Sequence, residues 1–235
     1  MSARIGVIVF PGTNCEHDVV KSLSAASGGD APAATVELVW HGVRSLSHFD
    51  GVVLPGGFAH GDYLRPGAIA RFSNVMEAVG DFAAGGGPVV GICNGFQVLA
   101  EAGLLPGALQ KNSGLRFICK DVDLRVCTTR SVLTSATSPG MRLRLPINHF
   151  EGNYTCDRAT LDRLHAEDCV VLRYEVNPNG SMDDIAGVCN TAGNVVGLMP
   201  HPERAYDAIT GAMDGLPLLR SLLEAADRHA SLLSA

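Results

Sequence analysis

Apolar positions in the first half of the chain fall into short continuous runs. The runs at residues 5–10, 35–40 and 52–54 are each followed within two residues by glycine or proline, and a fourth run begins at Val89. Such runs are typical of strands that a parallel sheet buries on both faces. The helices predicted between them span about residues 14–26, 68–84 and 94–102. This order predicts an α/β fold in which helices flank a mostly parallel open sheet in three layers.

The second half of the chain carries shorter strand-like segments with alternating polar positions. Because alternation is typical of antiparallel strands, we expect a small antiparallel excursion from the parallel sheet. Residues 184–190 and 194–199 predict a hairpin whose second arm ends just before His201. From Asp214 onwards, leucine and alanine recur at helical spacing, which predicts an amphipathic closing helix. The segments with alternating polar positions are residues 115–119, 122–127, 132–133 and 143–147.

Residues 1–235 are expected to form a single domain.

Composition and charge exclude several classes of protein. The chain has 235 residues, of which 46% are apolar and 18% charged, and a formal net charge of -6. It has three lysines and no basic cluster, so no nucleic-acid partner is expected. No apolar stretch approaches the ~20 residues of a membrane span, and the N-terminal run is too short for a secretory signal. We therefore expect a cytoplasmic protein that does not engage membranes.

The seven cysteines are scattered and form no CxxC pair. No cluster of cysteine and histidine has the sequence spacing of zinc ligands, so no metal site is predicted. We expect free thiols and interpret the cysteines other than Cys93 as packing residues.

Cys93 lies at the centre of the segment GICNG, residues 91–95, directly after an apolar run. A nucleophile on a sharp strand-to-helix turn requires small residues on both sides, because larger side chains would collide there. The helix that follows directs its positive end at the sulfur. A buried cysteine in a glycine-rich turn is the plain alternative, since so short a motif also occurs by chance.

Two further segments favour an acyl-transfer site. His201 and Glu203 are two residues apart, so in an extended segment the carboxylate can orient the imidazole. Together with Cys93 they would form a Cys/His/Glu triad. The backbone N–H groups of Gly57 and Asn94 are the expected oxyanion-hole donors, one from an earlier strand end and one following the nucleophile.

The segments GICNGFQ at residue 91 and PHPE at residue 200 resemble the class I (triad) glutamine amidotransferases. Within that class, several blocks resemble the glutaminase subunits of phosphoribosylformylglycinamidine synthase, and the resemblance spans about residues 4–206. The blocks are FPGTNC at residue 10, LPGGF at residue 54, GDYLR at residue 61, EGNY at residue 151, NPNGS at residue 177 and DIAG at residue 184.

The resemblance implies a flavodoxin-like class I glutaminase fold and hydrolysis of glutamine to glutamate and ammonia. It places the nucleophile at Cys93, the general base at His201 and the orienting acid at Glu203. Glutamine would be held by Gln97, Phe58 and the segment containing His149 and Phe150. Glycine is common in the family at the position of Phe150, so the chain departs from the pattern there.

The resemblance also implies partners. A large synthetase subunit would use the ammonia together with ATP and Mg²⁺, and a small subunit would bridge the two proteins. No P-loop motif surrounds any lysine of this chain, so no cofactor is expected in the chain itself. Two alternatives stay open. One is a glutaminase that serves guanylate, cytidylate or carbamoyl phosphate synthesis, and the other is a non-enzymatic redox-sensing domain.

Overall fold

The computed structural model describes residues 2–29, 31–209 and 211–233. Its strands are β1 (Ala3–Val9), β2 (Ala34–Trp40), β3 (Gly51–Leu54), β4 (Val89–Ile92), β5 (Ala108–Gln110), β6 (Ile118–Val126), β7 (Arg142–His149), β8 (Asn153–Thr155), β9 (Val170–Tyr174), β10 (Ile185–Cys189) and β11 (Val195–Leu198). Its α-helices are α1 (Glu16–Ala26), α2 (Asn74–Ala84), α3 (Asn94–Glu101), α4 (Arg158–Ala166) and α5 (Leu216–Leu233).

Nine of the strands in the described residues form one sheet, in the order β2-β1-β3-β4-β11-β10-β9-β6-β7. The strands from β2 to β11 run parallel, and those from β10 to β7 are antiparallel to their neighbours. The expected α/β architecture with helices beside a parallel sheet is confirmed. The antiparallel strands extend the same sheet, while β5 and β8 pair separately.

Burial explains the apolar runs. Every residue of β3, β4 and β11 is buried, because helices pack on these central strands. Helix α3 contacts β3, β4 and β11, whereas α1 and α5 contact each other and β1. The predicted hairpin is confirmed, since β10 and β11 pair antiparallel with Gly187 opposite Leu198. The predicted closing helix corresponds to α5.

Several predicted elements differ from the structure. The predicted helix over residues 68–84 is divided, because Ser73 is extended and separates a 3-10 turn from α2. In place of the two strands predicted at residues 115–119 and 122–127, the chain forms one continuous strand, β6, which begins only at Ile118. The strand prediction at residues 132–133 is wrong, since Val132 lies in a turn and donates to the carbonyl of Gly193. Helix α4 and strand β9 were not predicted.

The parallel order of the sheet determines where its loops meet. Strands β1, β3, β4 and β11 are neighbours and point the same way, so the segments after them lie at one edge of the sheet. In open α/β sheets ligands bind at this edge, outside the carboxyl ends of the strands. In the described part of the chain, no helix is both long enough and apolar enough to cross a lipid bilayer.

Candidate active site

Cys93 occupies the turn between β4 and α3 in a strained backbone conformation. Its φ of 50° and ψ of -105° lie in a region of backbone conformation that residues other than glycine seldom adopt. The amide of Cys93 donates to the carbonyl of Leu198, at 2.7 Å, so β11 continues to support the backbone at the turn. This is the conformation of a nucleophile elbow, in which the strained turn presents one side chain above the sheet.

The two glycines that flank the elbow are required by close packing. A Cβ on Gly95 would lie 1.9 Å from the carbonyl oxygen of Leu54, and a Cβ on Gly91 would lie 2.6 Å from the Leu99 side chain. Side chains at either position would force α3 away from β3 and β4. The spacing that the sequence analysis singled out therefore has a steric cause.

His201 and Glu203 form a buried pair directly after β11. Nδ1 of His201 and Oε1 of Glu203 are 2.6 Å apart, and both side chains are almost completely buried. Burial opposes protonation of His201, but the negative charges of Glu203 and Cys93 outweigh it, so the pKa of His201 lies well above its usual value. Nε2 of His201 has no hydrogen-bond partner among the described residues.

The structure brings Cys93 and His201 together at one cavity. A Cβ placed on Gly56 would lie 2.9 Å from Cε1 of His201 and 3.5 Å from Cβ of Cys93, so both side chains meet above that glycine. Both residues line a cavity of about 540 Å³, a volume suited to a small metabolite. Sγ of Cys93 is 3.8 Å from the carbonyl oxygen of Asn148. Cys93, His201 and Glu203 thus lie in the order expected of a nucleophile–base–acid triad.

The two predicted oxyanion donors differ in their surroundings. Gly57 lines the cavity with a φ of 151° and pairs with Thr13, and a Cβ there would lie 2.8 Å from the amide nitrogen of Asn14. Asn94 is the first residue of α3, where a backbone N–H has no partner within its helix. Its N–H directly follows Cys93 in the chain, while its side chain is not part of the cavity lining.

The Asn94 side chain connects the elbow to the segment after β3. Its Oδ1 accepts from the amide of Ala59 at 2.9 Å. Its Nδ2 donates to Oδ1 of Asp62, at 3.0 Å, and to Oε1 of Gln97, at 2.9 Å. The Gln97 side chain lines the cavity, and its Nε2 donates in turn to the carbonyl of Glu151. The side-chain amide of Gln97 is therefore hydrogen-bonded through both its oxygen and its nitrogen to other residues of the chain.

His149 and Phe150 lie on the cavity wall at the end of β7. Nδ1 of His149 is 3.1 Å from Oδ1 of Asn112, and Asn112 donates to the carbonyl of His149. Burial, followed by the positive charge of His201, lowers the pKa of His149 to about 4, so its imidazole is neutral at pH 7. The backbone carbonyl of Phe150 accepts from the amide of Asn112 at 2.9 Å, which fixes this segment.

Phe58 and Asp62 also line the cavity. The ring of Phe58 is half exposed. Burial raises the pKa of Asp62 to about 6, against the hydrogen bond from Asn94 and with a contribution from the negative charge of Glu151. Asp62 was not among the site residues predicted from the sequence. The sequence feature that could have identified it is its position in the segment GDYLR, shortly after the end of β3.

Cys15, which the sequence analysis interpreted as a packing residue, also lines the cavity. Its sulfur would lie 3.1 Å from a Cβ on Gly56, and it accepts from Nη2 of Arg204 at 3.2 Å. Its position in the sequence could have identified it as a site residue, because Cys15 ends the loop that follows β1 at the same edge of the sheet. The cavity therefore holds two thiols.

Comparison with known proteins agrees with this geometry. Residues 2–214 match the family model of the CobB/CobQ-like glutamine amidotransferase domain. The chain is 56% identical to the phosphoribosylformylglycinamidine synthase subunit PurQ of Rubrobacter xylanophilus over 95% of this chain and 99% of the relative. It is 50% identical to the protein of the same name from Koribacter versatilis over 94% of this chain and 98% of the relative.

A solved structure of PurLQS from Thermotoga maritima contains a similar chain. The two chains superpose with a TM-score of 0.86 at 41% identity, over 95% of this chain and 99% of the other. The resemblance drawn from the sequence motifs is confirmed: the chain belongs to the family of CobB/CobQ-like glutamine amidotransferase domains.

Proposed function

We propose that this chain is the glutaminase subunit of a phosphoribosylformylglycinamidine synthase, in which it hydrolyses glutamine and passes ammonia to a synthetase subunit. The observation that carries the chemistry is the convergence of Cys93 and the His201–Glu203 pair on one cavity. The choice of synthetase rests on the relatives named PurQ, which match this chain over nearly its full length.

The reaction starts with transfer of the Cys93 proton to Nε2 of His201. The raised pKa of His201 makes the imidazole a strong proton acceptor, and Glu203 stabilises the imidazolium that forms. The sulfur then attacks the side-chain amide carbon of glutamine. Negative charge develops on the amide oxygen, where the N–H groups of Gly57 and Asn94 would donate; one such donor is typically worth ~3 kcal/mol.

His201 then donates its proton to the departing nitrogen, and ammonia leaves. A γ-glutamyl thioester remains on Cys93. His201 next takes a proton from water, which attacks the thioester carbon, and glutamate is released as the thiol is restored. Because His149 is neutral beside this site, it offers a hydrogen bond to glutamine without adding a second positive charge.

The remaining assignments follow from the same proposal. The chain needs no cofactor for this chemistry, and ATP and Mg²⁺ would be used by the large synthetase subunit, with a small bridging subunit completing the complex. Gln97, Phe58, His149 and Phe150 would surround glutamine. We place the whole chain in one glutaminase domain and the complex in the cytoplasm, where purine synthesis takes place.

The test reconstitutes the chain with a synthetase subunit and a small bridging subunit. Cys93→Ala should abolish synthesis supported by glutamine while added ammonium still supports it. Cys119→Ala, at an exposed cysteine on β6, is the matched control and should retain both activities. Loss of both activities in Cys93→Ala, or retention of the glutamine-dependent one, would contradict the proposal. If the reconstituted complex forms no product from formylglycinamide ribonucleotide, the choice of synthetase is wrong.

A further inference from the structure

A cluster of potential metal ligands, which the glutaminase chemistry does not use as a set, reaches from the cavity into the buried region behind it. One ligand atom each from Cys15, His201 and Glu203 lies within 4.8 Å of the other two, and all three residues are buried. Cys93 borders the same space, since its Cβ and the sulfur of Cys15 both approach the Cβ position of Gly56, at 3.5 Å and 3.1 Å. The side chains of Cys15, Cys93 and His201 therefore all pack around one glycine.

Nε2 of His201 supplies a second, independent observation. It is buried and lacks a hydrogen-bond partner in the described chain, although His201 is only 2% exposed. A buried polar atom without a partner is uncommon in a folded protein and calls for an explanation. The proton transfer from Cys93 accounts for it during turnover. In the absence of glutamine, a cation that displaces the proton of His201 can take up the lone pair of this nitrogen.

Glu203 completes the arrangement from the other side of the ring. Its Oε1 is 2.6 Å from Nδ1 of His201, so the carboxylate fixes which nitrogen faces the thiols. A histidine that binds zinc through one ring nitrogen commonly donates the other N–H to a carboxylate. The His201–Glu203 pair thus has the geometry of a zinc ligand with its supporting carboxylate.

We propose that this site binds a zinc ion reversibly through Sγ of Cys15, Sγ of Cys93 and Nε2 of His201. Two sulfurs, one nitrogen and an open fourth position toward the cavity form a ligand set that zinc occupies in proteins. Cys15 and His201 already belong to the cluster, and rotation of the Cys93 side chain about its Cα–Cβ bond would turn its Sγ toward them; zinc requires bonds of ~2.3 Å to sulfur and ~2.0–2.1 Å to nitrogen.

Binding would block the glutaminase. Zinc engages the nucleophilic sulfur and the base nitrogen together, so neither can react while the ion is bound. The ion also competes with protons for the thiols and for Nε2, and its affinity therefore rises with pH. This consequence rests on the proposed function, whereas the metal site does not.

The test titrates the full chain with Co²⁺, which replaces zinc and absorbs in the near ultraviolet in proportion to its thiolate ligands. Wild type should bind one ion per chain with the absorption of two thiolates and a tetrahedral visible spectrum. Cys15→Ser should lose about half of the thiolate absorption. Glu203→Gln, which removes the supporting carboxylate, should weaken binding by about 10- to 100-fold. Cys119→Ser, at an exposed cysteine outside the cavity, is the matched control and should behave as wild type.

A second measurement uses the unmodified chain in case Cys15→Ser does not fold. Iodoacetamide labelling followed by mass spectrometry should show that Zn²⁺ protects Cys15 and Cys93 while Cys119 still reacts. A spectrum and affinity unchanged in Cys15→Ser, or Cys15 left unprotected by Zn²⁺, overturns the proposal. Neither experiment contains glutamine, so a failure here is separable from a failure of the proposed activity.

Discussion

The imidazole of His201 is hydrogen-bonded through Nδ1 to the carboxylate of Glu203 at 2.6 Å, and the pair is sealed from solvent. The backbone carries both residues out of β11 and around Pro202, so that the opposite nitrogen, Nε2, faces Cys93 and Cys15. One ring nitrogen is therefore held by Glu203, and the other is free to react. Most of the chemistry proposed for this chain depends on that asymmetry.

Replacing the orienting acid tests this relationship. Glu203→Gln keeps the shape of the side chain but removes the charge that stabilises imidazolium and fixes the tautomer. We expect the glutaminase kcat to fall by about 10³- to 10⁴-fold. The basic limb of the pH profile should also move to lower pH, since Glu203 is the main group that raises the pKa of His201. Steady-state kinetics across pH measures both effects. Glu224→Gln on the exposed face of α5 should change neither, and an unshifted profile in Glu203→Gln would count against this role.

The packing at the elbow predicts a stability difference between two glycines. Gly95→Ala places a Cβ 1.9 Å from the carbonyl oxygen of Leu54, which neither backbone can accommodate without moving. We expect a loss of at least about 3 kcal/mol in the free energy of unfolding. Gly80→Ala in α2 meets no atom within 4 Å and should gain about 0.5–1 kcal/mol instead. Urea denaturation of both variants decides the matter, and similar midpoints would refute the steric account.

The hydrogen bonds of Asn94 predict a local effect. Asn94→Ala leaves the amide of Ala59 and Oε1 of Gln97 without partners in a buried region. We expect a loss of about 2–3 kcal/mol in stability, because each unsatisfied buried group carries its own desolvation penalty. Hydrogen exchange should show faster exchange at the amide of Ala59. Asn74→Ala, whose side chain makes a single 3.5 Å contact to the carbonyl of Gly42, is the control. Unchanged protection of Ala59 in Asn94→Ala would mean that the segment is held by other groups.

The raised pKa of Asp62 predicts a pH dependence of stability. The folded carboxyl binds its proton up to about pH 6, whereas the unfolded one releases it near pH 4. Between these values the folded state holds more protons, so stability falls as pH rises through this window. Asp62→Asn removes the dependence. The unfolding free energy of Asp62→Asn minus that of wild type should therefore increase as pH rises from 4 to 6. The increase is on the order of 1 kcal/mol, because Asp62 is partly exposed. Denaturation at several pH values measures this, and a constant difference would contradict it.

Local patterns predicted a large part of the fold and of the site. The apolar runs identified the parallel strands because such strands are buried on both faces. The glycine spacing identified the elbow because the turn at Cys93 excludes larger side chains at Gly91 and Gly95. The hairpin that leads to His201 was predicted from two apolar runs across a short turn. In each of these cases the determinant is steric and lies within a few residues of the feature.

Features that depend on contacts between distant segments were not predicted. Residues 118–126 form one strand because β6 pairs with β7 on one side and β9 on the other. The side chain of Asn94 is not part of the cavity lining because it bonds to Ala59 and Asp62 of another loop. Cys15 joins the site because β1 and β3 are neighbours in the sheet. The residues proposed to bind zinc form no recognisable sequence motif, since they come from three separate loops.

The amino-acid sequence by itself determined the class of fold and singled out Cys93, His201 and Glu203 as the proposed triad. Each is encoded by short-range sterics or by a compact motif. Tertiary structure alone decided which side chains share the cavity, which nitrogen of His201 remains free and how Cys15 comes to face Cys93. These depend on strand order and on packing across the sheet edge, where residues more than a hundred positions apart are held within contact distance by the burial of the strands between them.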